Sequence, residues 1–232
     1  MLFKDVENIN SDIVTELSKH NINEMTDVQA KTYKHIYNNK DLIVCSGTGT
    51  GKTLAYLCPI ISRLSDKTKN VQAIILVPNG ELASQINRQL EELFAYDNCP
   101  YSSLFVTGEG NINRQLDALK HKPSILIGTP ARIYQLINIK KLKVHEVKTL
   151  VLGKTYIEHI HSIRKSLMKY TQVLLFSASI DKKTRKEANS LTFKPIDIDI
   201  NSIKKLESVI PSYIKHNYII TDRRERIETL RK

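Results

Sequence analysis

The chain has 232 residues, enough for one large domain or one and a half smaller ones, with 41% apolar and 25% charged residues, as in ordinary globular proteins. No run approaches the ~20 apolar residues of a membrane span, and residues 1–7 carry no apolar signal core, so the expectation is a protein that is neither secreted nor membrane-embedded; Cys45, Cys58 and Cys99, an odd number without metal-ligand spacing, are expected as free thiols in a reducing cytoplasm. The net charge of +11 suits a nucleic-acid backbone as partner, and equally a lysine-rich solvated surface.

Residues 1–40 read as mostly amphipathic helix. Ser11 is a plausible cap, with Ile13, Val14 and Leu17 on one face behind it, and Thr26-Asp27-Val28-Gln29 opens a second helix through Lys40. Residues 41–45 are an apolar run and predict a buried strand. Further strands are predicted at 71–77, 103–107, 124–128, 149–152 and 173–176, with a possible edge strand at 195–200. Helices are predicted from 54 onward and at 81–96, 113–119, 131–138, 157–170 and 182–191. Val/Ile/Leu strands alternating with helices imply an α/β fold, a mainly parallel sheet with helices on both faces. Ligands of such sheets bind at the carboxyl ends of the strands, so each loop after a strand belongs to the functional edge. Residues 201–232 differ: a lone strand candidate at 218–220, then a charged helix start at 222–231. The expected division is one domain over 1–200, then a linker and the truncated start of a second domain.

The eight residues Ser46-Gly47-Thr48-Gly49-Thr50-Gly51-Lys52-Thr53 lie between the first predicted strand and a helix. Strand, Gly-rich loop, Lys-Thr and helix form a phosphate-cradling loop. Gly49 and Gly51 let backbone N–H groups turn inward. The helix N-terminus adds partial positive charge. Lys52 brings a full charge to the β/γ-phosphates, and the Thr53 hydroxyl is the one candidate Mg²⁺ ligand. Ser46 stands where the pattern begins with Gly. A Gly/Thr-rich turn that merely precedes a lysine is the plain alternative; the flanking strand and helix speak against it.

With this loop placed, the chain resembles the first RecA-like domain of a DEAD-box RNA helicase. Thr26-Asp27-Val28-Gln29, with Phe3 upstream, resembles the family's Q motif, in which the glutamine reads the adenine edge and the aromatic stacks on the base; Asn21-Ile22 replaces the usual Gly-aromatic pair. Pro78-Asn79-Gly80-Glu81-Leu82-Ala83 resembles Pro-Thr-Arg-Glu-Leu-Ala, with Gly80 in place of the arginine. Gly108 to Gly110 sits at the family's Gly-Gly turn, with Glu109 intervening. Thr129-Pro130-Ala131-Arg132 resembles Thr-Pro-Gly-Arg, so that helix amides and Arg132 are expected to face an RNA phosphate. Ser177-Ala178-Ser179 resembles Ser-Ala-Thr, which in the family couples nucleotide state to unwinding. The resemblance implies ATP or ADP as ligand, RNA as partner, a second RecA-like domain supplying arginines, a monomer and a cytoplasmic location.

The name-giving motif of that family departs. Where Asp-Glu-Ala-Asp is expected after the fifth strand, the chain reads Gly153-Lys154-Thr155-Tyr156. Gly153 takes the place of the acid that orients Mg²⁺, Lys154 that of the acid that handles the attacking water. Neither Glu146, before the strand, nor Glu158, in the following helix, slides into register. Phosphoryl transfer rests on positioning and charge stabilisation, and a lost general base alone costs ~10²–10⁴ in rate. The expectation is therefore retained nucleotide binding, weakly held Mg²⁺ and hydrolysis near zero. The Lys154 ammonium either points at the γ-phosphate or is a simple exposed lysine. Three functions follow: a helicase domain by descent, a non-hydrolysing scaffold or regulator, and a DNA helicase or other P-loop ATPase. The Gln29 motif and residues 129–132 argue against the third.

Overall fold

The computed structural model describes residues 1–153 and 158–200. Strands β1 (Leu42–Cys45), β2 (Ala73–Leu76), β3 (Ser103–Val106), β4 (Ile125–Gly128), β5 (Thr149–Leu152), β6 (Gln172–Ser177) and β7 (Ile196–Asp199) form one sheet in the order β3-β4-β2-β5-β6-β1-β7. Every pairing is parallel. Parallel pairing demands long crossovers, and helices supply them. α1 (Ser11–Lys19) and α2 (Asp27–Tyr37) precede β1; α3 (Lys52–Ile61), α4 (Gly80–Leu93), α5 (Ile112–Leu119), α6 (Pro130–Asn138), α7 (Ile160–Ser166) and α8 (Lys182–Leu191) follow β1 to β6 in turn.

Side chains alternate across a strand, so each apolar strand feeds two cores. In β2, Ala73 and Ile75 enter one, with Leu17 of α1, Val28 of α2, Leu57 of α3 and Leu90 of α4. Ile74 and Leu76 enter the other, with Ile133 of α6, Ile163 of α7 and Leu191 of α8. Each fully buried Leu or Ile contributes roughly 1.5–3 kcal/mol, which is why the inner strands tolerate no polar face. The outermost strands are less covered: Phe105 of β3 is 38% exposed and β7 buries alternate residues only partly. β7 is the expected edge strand, paired with β1.

The helices begin and end where local polar groups dictate. Asn10, not Ser11, caps α1: its side chain accepts from Asp12 and Ile13 N–H at 2.8 and 3.1 Å. α2 stops at Tyr37 rather than Lys40, since Asn38 caps it and Asn39 turns left-handed (φ 59°), as asparagine does readily. α7 stops at Ser166, not Tyr170, because Leu167 is already extended and Arg164 binds the Met168 and Lys169 carbonyls. The predicted elements at 218–220 and 222–231 lie outside the described residues.

At the amino ends of the strands, Arg63 acts as a clamp. Its Nη2 donates to Thr149 Oγ1 of β5 (2.7 Å) and Gln172 Oε1 of β6 (2.8 Å), and its Nη1 to Asn39 Oδ1 (3.1 Å). Gln172 in turn donates to the Ile36 and Lys40 carbonyls. Burial pulls the guanidinium pKa down to about 10.

Candidate nucleotide site and nucleic-acid edge

The loop at 46–53 leaves the carboxyl end of β1 and enters α3, as its composition requires. Gly51 caps α3 in the left-handed region (φ 91°), and Gly49 is also left-handed (φ 76°). A β-carbon on Gly51 would lie 2.5 Å from Gln29 Nε2 and 3.1 Å from Thr26 Oγ1, so only glycine fits on both conformational and steric grounds. The loop is laced internally: Ser46 and Thr50 share a hydroxyl hydrogen bond (2.7 Å), and Thr50 Oγ1 donates to Gly47 O (2.9 Å). Thr48 and Gly49 form its exposed crown. The Lys52 ammonium donates to Ser46 O at 2.8 Å and to Gly47 O. It is half-buried, and burial lowers its pKa from the ordinary lysine value. The Lys52 ammonium thus rests on two loop carbonyls at the start of α3, where the cation and the N–H groups of a helix's first turn together favour an anion.

Two of the residues expected around the base have other surroundings. Gln29 is 3% exposed. Its Oε1 accepts from Thr26 N–H (2.8 Å) and its Nε2 donates to Gly51 O (3.1 Å), so the amide ties the start of α2 to the phosphate loop. An amide has two donor hydrogens and two lone pairs, which leaves one of each for an adenine edge. Phe3 is different: at 1% exposure its ring belongs to the core beside Ile13 and Val28. Stacking requires an open face, so the expected base-stacking role of Phe3 is corrected to a packing one.

The end of β6 is fastened to the same loop. Ser46 N–H donates to Ser177 O (2.9 Å), and Ser177 Oγ donates to Ser179 O (2.6 Å), closing the 177–179 turn on itself. Cys45 Sγ reaches Ala178 O at 3.7 Å. The stretch expected to couple nucleotide state to movement is thus in direct backbone contact with the phosphate loop.

Gly153 follows β5, which neighbours β6, so it faces the same cleft edge. Among the described residues, a β-carbon there would meet only Leu76 O, at 3.9 Å, so they leave space for a side chain at this position. Lys154, Thr155 and Tyr156 lie outside the described residues. For a divalent cation, the remaining expected donor is Thr53, one neutral hydroxyl, and among the described residues no three His, Cys, Asp or Glu side chains gather. Hard cations take several oxygen ligands, so these residues do not fit a protein-anchored metal.

The nucleic-acid candidates sit on the other half of the edge, after the adjacent strands β2, β4 and β3. Asn79 caps α4, accepting from Leu82 N–H at 3.0 Å, with Pro78 and Asn79 exposed. Thr129 precedes α6 without a side-chain cap, and Pro130 takes the first helical position. Gly108 is exposed on the turn after β3. Arg132 does not face outward. At 8% exposure it donates to Gly108 O (3.0 Å), Gly110 O (3.2 Å) and Gln115 Oε1 (3.1 Å). The expected phosphate contact by Arg132 is corrected: the guanidinium is almost wholly buried and makes three hydrogen bonds, two to carbonyls of the 108–110 turn and one to Gln115. Glu109, noted in the sequence only as the residue between the two glycines, has its carboxylate against Gly80.

Fold and site together define a RecA-like α/β domain built round a phosphate-binding loop. The DEAD/DEAH box helicase family model matches residues 26–188, and the chain belongs to that family. It is 37% identical over 214 residues to the probable ATP-dependent RNA helicase YfmL of Bacillus subtilis, an alignment covering 89% of this chain and 55% of the relative. It is 34% identical to the DEAD-box ATP-dependent RNA helicase CshC of Bacillus cereus, over 92% of this chain and 55% of that protein. The crystal structure of a DEAD box protein from the hyperthermophile Methanococcus jannaschii superposes with a TM-score of 0.80 at 26% identity, covering 99% of this chain and 62% of that one. The chain thus spans about half the length of the curated relatives it matches.

Proposed function

We propose that this chain is the nucleotide- and RNA-binding first half of a DEAD-box-type RNA helicase in which ATP or ADP is gripped but hydrolysis is strongly impaired or lost. The observation that carries this is a contrast between neighbouring strand ends. The loop after β1 keeps the glycine geometry and the Lys52 ammonium, whereas the loop after β5 begins with Gly153 where the family places an acid. Lys52 and the α3 amides hold the phosphates, and the spare donor and acceptor of Gln29 meet the adenine edge. Among the described residues none after β5 supplies the carboxylates that position the attacking water. In this reading RNA lies along residues 78–80, 108 and 129–130. A second RecA-like domain completes the cleft, and the protein is a cytoplasmic monomer.

The second reading, a helicase-like scaffold or regulator that never turns over, is favoured by the same Gly153. Phosphate-release assays with and without RNA test both: turnover well above background overturns the impaired-hydrolysis reading and the scaffold reading with it. Calorimetry with ADP and ATP tests the grip itself, with affinity expected to be nearly the same with and without Mg²⁺. The pair Gly153→Asp and Lys154→Glu is expected to raise both the metal dependence and the turnover.

A further inference from the structure

We infer that Glu109 opposes nucleic-acid phosphates on the 78–80, 108 and 129–130 edge, so that its carboxylate holds RNA affinity down. The inference rests on the proposed RNA edge and deepens it. β3, β4 and β2 are adjacent, so the turns that follow them form one continuous surface. Of the residues expected to contact RNA there, only Arg132 is cationic, and it is buried and bonded to Gly108 O, Gly110 O and Gln115. Within those turns the exposed charged side chain is Glu109, the exposed Arg114 lying beyond them in α5. Glu109 is exposed, and its Oε2 would lie 3.2 Å from a β-carbon on Gly80, the first residue of α4. Glu81 adds a second carboxylate in the first turn of that helix. Among the described residues Glu109 forms no ion pair. Gly80 leaves the space above α4 without a side chain, and Glu109 and Thr107 border that space. A phosphate approaching this surface meets an unneutralised carboxylate, although the whole chain is strongly basic.

The test is fluorescence anisotropy with a labelled oligouridylate at low and high salt. It compares the unaltered chain with Glu109→Gln, Gly80→Arg and the double variant, each checked by thermal melting. Glu109→Gln is expected to bind about fivefold tighter at low salt, the Coulomb effect of one charge ~4 Å from a phosphate in water, with the gain fading as salt screens it. Gly80→Arg alone is expected to gain little, because its guanidinium pairs with Glu109. The double variant should exceed the sum of the single gains and steepen the log–log salt slope by about 0.7. Unchanged affinity in Glu109→Gln while the unaltered chain binds, or strictly additive variants, overturns the inference and leaves the RNA edge standing. Absence of binding by all four proteins at low salt overturns the RNA edge itself, and this inference with it.

Discussion

The two halves of the ligand edge use their sequences in different ways. Beyond β1, one continuous stretch of eight residues forms the phosphate loop, with Gln29 and Ser177 bonded to it from outside. Each side chain acts on its own neighbours: Ser46 on Thr50, Thr50 on Gly47, Lys52 on the Ser46 and Gly47 carbonyls. Beyond β2, β3 and β4, three short turns distant in sequence share one surface, and what each residue does is decided by the others. Arg132 faces inward because the 108–110 turn needs a donor, and Glu109 matters because residue 80 is a glycine. A site made from one segment survives as a unit. A site assembled from several can keep its backbone while its charge is inverted piece by piece.

Four substitutions break or sharpen that contrast. Lys52→Ala should have the largest effect, weakening ADP binding by about 10–100-fold in calorimetry, the ~1.5–3 kcal/mol of hydrogen bonds to a charged group. Binding within a factor of two of the unaltered chain refutes the phosphate grip. Gly51→Ala forces an alanine into the left-handed region and against Gln29 Nε2, and should cost about 1–3 kcal/mol in urea unfolding. Arg132→Ala removes the donor to two turn carbonyls and Gln115, and should cost about 1–2 kcal/mol. It should weaken RNA binding without changing the salt slope. A slope reduced by about one would mean that Arg132 contacts a phosphate directly after all. Gly153→Asp should be the mildest, within about 0.5 kcal/mol of the unaltered stability, because its β-carbon has open room beside Leu76 O. A large loss there would show that the turn after β5 has been rebuilt around glycine.

The strands and the phosphate loop were readable in the sequence because their signals are local and periodic. The runs at 41–45, 149–152 and 173–176 leave little but a buried strand to form, and Gly-Lys-Thr after such a strand has few other uses. Helix ends were read less well, for they depend on distant polar partners, as when Arg164 seizes the Met168 and Lys169 carbonyls and ends α7. The site residues misread were those with two possible faces. An aromatic upstream of Gln29 suits base stacking or core packing equally in sequence, and only burial assigns Phe3 to the core. An arginine at a helix start suits a phosphate or a carbonyl turn, and only the position of residues 108–110 decides for Arg132.

The Arg63 clamp joins β5 and β6 to the segment before β1 at the edge opposite every ligand loop. Foundation and workshop are thereby at opposite ends of each strand. Changes confined to the workshop leave the Arg63 bonds untouched, so the same strands can carry end loops of quite different chemistry.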